Sequence, residues 1–320
     1  MAITSVVSTP LSAGDIVGRA FRIFRQNILF IGKILLLPTV FLCLGRIGVL
    51  VGCSYGAKFL NNPGAGILWF GIAFLGGIVF CFGAFMMWIR QLAIIRFLTG
   101  FAPSYEEAQR LVKGRIYSLI ALTITTFMVS LVSTVVWAVL MAISVPALKS
   151  QGLLPILASF GLATGILGLI ISLVFICMVN YLVTTALALE NKDLGVLIGE
   201  CFTLTLHSFF RSIVFFVLSL TSVMVVAYPM SLPMLLLIGA FMLVQGAATG
   251  NPETALPMYM QVLNSVWETA INMVIGPIYY LSYALYYSDL CMRQHGIDLI
   301  ERLDGVEAAE GAGRLHSHGS

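Results

Sequence analysis

VLNSVWETAINMVIGPIYYLSYALYYSDLCMRQHGIDL, residues 262–299, is the stretch whose reading decides the fold. Its first half places polar side chains in an apolar run. Gln261, Ser265, Glu268 and Asn272 follow one another at spacings of four, three and four, which puts them on one face of a helix. Trp267 and Tyr259 have the amphipathic character of side chains at a membrane surface. The second half, with Tyr279, Tyr280, Tyr283, Tyr286 and Tyr287, reads as an aromatic anchor leading into a polar exit at Asp289 and Arg293. A helix with a lone acid at its centre belongs in a bilayer only if the rest of the chain belongs there too.

Composition places it there. Apolar residues make up 59% of the chain and charged residues 10%, whereas soluble domains carry about 25% charged residues. So few charges cannot cover a water-exposed surface, and lipid must cover much of this one. A net charge of +3, with no basic run interleaved with aromatics, gives no reason to expect nucleic acid as a partner. The six cysteines show no paired spacing, and most lie in apolar runs where a thiol behaves as a small hydrophobe. Leu50-Val51-Gly52-Cys53 has the form of a lipoprotein cleavage box, but Lys33 and Arg46 in the preceding segment favour a small-residue exit from a span. The N-terminus, with charges up to Arg25 before a long apolar run and no A-x-A site, is not expected to be an ordinary cleavable signal.

Hydropathy and punctuation predict an all-α, polytopic membrane bundle over 1–303. Six spans are expected, at about 28–51, 66–97, 116–144, 156–189, 209–228 and 258–287. Three short cytoplasmic amphipathic helices, at about 12–27, 104–115 and 193–208, each lead into an outward span, so the layout repeats three times. The first has Ile16, Ala20, Ile23 and Phe24 at helical spacing, with Arg19, Arg22 and Arg25 between them and Ser12 or Asp15 as cap. It is either an interfacial helix or a lead-in to the first span. Pro38 is expected to kink span one, and Arg90 and Arg96 to anchor the inner end of span two. Gly71, Gly76, Gly77 and Gly83 in that span permit close helix contact. Pro229 and Pro233 close span five, leaving 234–244 as a partial outer helix or an extension of that span. Residues 304–320 are polar and glycine-containing and are expected to be a disordered cytoplasmic tail.

With both termini inside, 14 of the 17 Lys and Arg fall on the cytoplasmic side, the asymmetry of the positive-inside rule. Arg46, in the outer half of span one, then lies at the depth of Glu268. An Arg46–Glu268 contact closing first span on last is expected, with Gln261, Ser265 and Asn272 completing an intramembrane polar cluster. That cluster is either a structural clasp or part of a solute or ion pathway. Phosphate-loop, H-E-x-x-H and G-x-S-x-G motifs are absent, the four histidines form no constellation, and neither cofactor nor metal is expected. Two function classes remain. One is a non-enzymatic scaffold or accessory subunit of an envelope complex, with protein partners; the other is a transporter or lipid-handling protein using the polar stripe.

The ends of the chain resemble a known family. Gly14, Asp15, Ile16, Ala20, Phe21, Phe24, Arg25 and Asn27 fit its basic opening helix, and Tyr286, Tyr287, Asp289, Arg293, Gly296 and Asp298 fit its close. The family is the bacterial polytopic one named for the glycerophosphoryl diester phosphodiesterase membrane domain. The resemblance implies a multi-pass protein of the bacterial cytoplasmic membrane. It implies no phosphodiesterase activity, because the catalytic domain with its His-Arg-Gly and Glu-x-Asp metal site is not in this sequence.

Overall fold

The computed structural model describes residues 11–58, 63–147, 154–249 and 256–295, and every regular element among them is helical. The helices are α1 (Ala13–Gln26), α2 (Ile28–Lys58), α3 (Pro63–Leu98), α4 (Tyr105–Gly114), α5 (Ile116–Ala147), α6 (Leu154–Leu189), α7 (Leu194–His207), α8 (Phe209–Thr249) and α9 (Met258–His295). The expected tail at 304–320, with His316 and His318, lies outside the described residues.

Five helices are long and apolar enough to cross a membrane: Ile28–Ala57, Gly66–Leu98, Ile116–Val145, Leu154–Leu189 and Phe209–Val244. This is consistent with an integral membrane protein. The sixth expected span corresponds to α9, which has the length, at 38 residues. Gln261, Asn264, Glu268 and Asn272, followed by five tyrosines, make it less apolar than the others.

The chain divides into two compact units. One comprises Leu11–Val112 and Val217–Tyr286, and so holds α1 to α3, most of α4, and the longer parts of α8 and α9. The other comprises Lys113–Phe216 together with the end of α9 from Tyr287, and holds α5, α6, α7 and the first turns of α8.

In the first unit, α1 starts on a capping box. Ser12 Oγ accepts from the Asp15 amide at 3.2 Å while the Asp15 carboxylate accepts from the Ser12 amide at 3.3 Å, so Ser12 and Asp15 act together. The helix buries Ile16, Val17, Ala20 and Phe24 and leaves Arg19, Arg22 and Arg25 exposed. Asn27 ends it, with both its amide and its side chain donating to the Ile23 carbonyl.

Pro38 sits inside α2, which continues through it. A proline has no amide hydrogen, so the carbonyl four residues back loses its donor. That carbonyl belongs to Ile34, and the Arg90 guanidinium from α3 donates to it. Arg90, half-buried, therefore repairs a neighbouring helix where a surface anchor was expected, and Arg96 is buried, at 5% exposure.

The α2/α3 seam is a contact of backbones. A Cβ on Gly45 would lie 2.3 Å from the Phe80 nitrogen, and one on Gly76 would lie 2.6 Å from the Val49 nitrogen. Gly83 likewise faces α2, whereas Gly71 and Gly77 face open space. Half of the glycines expected at a contact are thus at one.

α8 corrects the expected end of span five. It runs unbroken from Phe209 to Thr249 with Pro229 and Pro233 inside, so 234–244 continues the same helix. In an apolar stretch a full break would leave several backbone groups without partners, whereas each proline removes one hydrogen bond. Trp267 of α9 binds this stretch, its Nε1 donating to the Met230 carbonyl at 2.7 Å.

In the second unit, α5 and α6 meet through side chains. The Trp137 ring fills the space over Gly168, where a Cβ would lie 2.3 Å from the ring. Ser172 Oγ accepts from Trp137 Nε1 at 3.1 Å and from Ser133 Oγ at 2.8 Å, and Thr126 donates to Asn180 at 2.9 Å.

Candidate functional site

The first polar cluster lies in the first unit, between the middle of α2 and the N-terminal half of α9. The Arg46 Nη2 donates to Glu268 Oε2. Asn264 Nδ2 donates to the other carboxylate oxygen at 2.8 Å, one helical turn earlier on α9. Both carboxylate oxygens therefore have a donor, and one of the donors is a cation. The ion pair is not sealed off: the Arg46 and Glu268 side chains are 38% and 43% exposed.

The five residues expected in this cluster divide. Arg46 and Glu268 meet. Gln261 turns to the start of its own helix and donates to the Leu256 carbonyl at 2.6 Å. Ser265 is buried at 2% exposure, and its Oγ has no partner among the described residues. Asn272 is exposed. Asn264 was missed, although its spacing of four from Glu268 is the signal that finds it.

A second cluster, unread in the sequence, lies in the second unit. Asp289 is fully buried and accepts from Arg211 Nη2 at 2.5 Å and from Arg293 Nε at 3.1 Å. Beside the end of α6, Lys192 bridges Glu190 at 2.9 Å and Glu200 at 2.7 Å. Tyr287 donates to Glu190 at 2.7 Å. Arg115 donates to the Leu187 and Lys192 carbonyls at 3.3 and 3.1 Å, placing a cation at the negative end of α6. Hydrogen bonds to Glu200 and then to Glu190 hold the Lys192 ammonium above its ordinary range. Burial raises the thiol of Cys201, so it is protonated and a poor nucleophile at neutral pH.

The anchor role expected for the tyrosines changes with this. Tyr283, Tyr286 and Tyr287 are 1%, 1% and 3% exposed, so these rings are core, with hydroxyls kept inside by partners such as Glu190. Among the described residues no group of three or more His, Cys, Asp or Glu could hold a metal ion.

No family model matches the chain, and neither a curated protein nor a solved structure matches it.

Proposed function

We propose that this chain is a non-enzymatic, multi-pass component of the bacterial cytoplasmic membrane, a scaffold or accessory subunit of an envelope complex. In this reading α9 is the sixth span and both termini are cytoplasmic. The supporting observation is how the intramembrane and buried charges are used. Glu268 is taken up by Arg46 and Asn264, Asp289 by Arg211 and Arg293, and Arg90 by a backbone carbonyl. Charges engaged this way hold helices together, and Glu268 and Asp289 already have cationic partners where a proton or a solute would otherwise bind. The resemblance at residues 14–27 and 286–298 to the membrane domain named for glycerophosphoryl diester phosphodiesterases agrees with a stand-alone membrane component.

Co-purification from native membranes in mild detergent tests the proposal. A partner in fixed stoichiometry is expected, and a chain recovered alone under crosslinking and without crosslinking speaks against it. A reporter fused to the C-terminus should be active on the cytoplasmic side; activity on the outer side would remove α9 from the count of spans.

Lipid handling is the second reading, and one observation favours it. A cavity of about 360 Å³ in the second unit, lined by Leu122, Val129, Phe175, Val183, Ile198 and Phe202 among others, is almost wholly apolar. Transport of a fluorescent phospholipid across proteoliposomes, absent from protein-free vesicles, would favour this reading over the first.

A further inference from the structure

A second cavity differs from the first in having a charged mouth. In the first unit a groove of about 440 Å³ opens under α1, lined by Gly18, Arg22 and Arg25 on that helix, by Val226 of α8, and by Val274 and Ile278 of α9. Phe21 and Phe24 of α1 line it too, so the lining apart from the two arginines is apolar, aromatic as well as aliphatic. Arg22 and Arg25, three apart, lie on neighbouring positions of one α1 face and are exposed. Neither has a hydrogen bond or ion pair among the described residues, although every other arginine described so far except Arg19 is engaged.

From this juxtaposition we infer that the groove binds one anionic phospholipid. Its headgroup phosphate is held by the guanidinium groups of Arg22 and Arg25, and an acyl chain lies along Val226, Val274 and Ile278. Two guanidinium groups at a rim match a phosphate in charge and in donor geometry. A soluble anion would use the rim and gain nothing from the floor, whereas an amphiphile uses both. The floor also continues outward: on α8, beside Val226, Met224 and Val225 are 57% and 65% exposed, so a chain leaving the groove meets further apolar surface. Basic pockets beside spans on the cytoplasmic side are places where anionic headgroups collect. The inference rests on the membrane reading above and adds to it a ligand class.

Native mass spectrometry of the full chain in mild detergent, titrated with phosphatidylglycerol or phosphatidylcholine, tests it. Phosphatidylglycerol should be retained in preference to phosphatidylcholine, and the R22Q/R25Q double variant should lose about tenfold or more in retention. Gly18→Trp tests the groove by shape. A Cβ there meets nothing within 4 Å, so the helix tolerates it while the ring occupies the groove; it too should lose the lipid. Arg19→Gln removes a charge from α1 that does not line the groove and should change nothing. Melting temperatures of all four proteins should agree. Equal retention of the two lipids, or a loss in Arg19→Gln as large as in the double variant, would overturn the site in favour of diffuse charge attraction. Displacement by soluble glycerol phosphate at millimolar concentration would overturn it in favour of a free-phosphate site. Alkaline washing of membranes separates the two levels: a chain that washes off sinks the membrane reading, whereas a chain that stays without lipid preference sinks only this one.

Discussion

The α2/α3 seam and the α5/α6 seam join helices of nearly equal length by different means. In the first, glycines let two backbones touch, and Gly45 and Gly76 leave no room for even a methyl group. In the second, Trp137 packs over Gly168, and Ser133, Ser172, Thr126 and Asn180 form a ladder of hydroxyl and amide bonds. The ionic arrangements differ in parallel. The first unit holds a half-exposed Arg46–Glu268 pair, and the second a fully buried Asp289 between two arginines. Helices within lipid gain little from apolar contact alone, so van der Waals closeness and hydrogen bonding must hold them. Each unit leans on one of these more than the other.

That contrast can be broken by substitution. Asp289→Asn should have the largest effect, about 3–5 kcal/mol, because it replaces the fully buried carboxylate that accepts from both Arg211 and Arg293 with a neutral amide; detergent-solubilised protein should melt earlier or fail to fold, and an unchanged melting curve would mean that the arginines find other acceptors. Gly45→Ala comes next, at about 3 kcal/mol, since its new methyl meets backbone that cannot step aside. Gly168→Ala should cost less, about 1 kcal/mol, because the atoms it meets belong to the Trp137 side chain, which can turn. If the two alanine variants melt together, the seams do not differ as described. Glu268→Gln should cost about 1–2 kcal/mol and leave membrane insertion intact. Smallest is the effect of pH on the Lys192 bridge. Its folded pKa is raised above the ordinary 10.5, so its contribution is fully present below that value and is lost only as pH rises through the folded one. Stability between pH 7 and 9 should therefore not change through Lys192, and Lys192→Gln should leave the profile in that window unaltered.

Much of the helical layout was legible in the residues. Apolar runs starting at Ile28, Ile116 and Phe209 begin helices at those positions, because a long apolar run has little alternative to a helix once water is excluded. Ser12 and Asp15 announce the start of α1 by local chemistry alone. Pro229 and Pro233 misled for a definite reason: proline stops helices where water can take over the freed carbonyls, and α8 lacks that outlet. Which glycine of α3 faces α2 depends on how the partner helix is rotated, and Gly76 differs from Gly77 in nothing the chain spells out. The candidate site divides along the same line. Arg46 and Glu268 could be matched by depth, and Asn264 lay within reach of the spacing rule. Arg211 and Asp289, 78 residues apart, meet only through the fold.

The bond from Arg90 to the Ile34 carbonyl bears on how the protein is made. Pro38 leaves α2 one rung short, and the missing rung comes from a helix synthesised later. Alone in a bilayer α2 would carry an unanswered carbonyl, so the α2/α3 hairpin is expected to be the unit that settles into the membrane. Chains ending at residue 62 should integrate less completely than chains ending at 98, and Arg90→Gln in the longer chain should narrow that gap. Birth order, on this view, is written into one proline and the arginine that follows it 52 residues later.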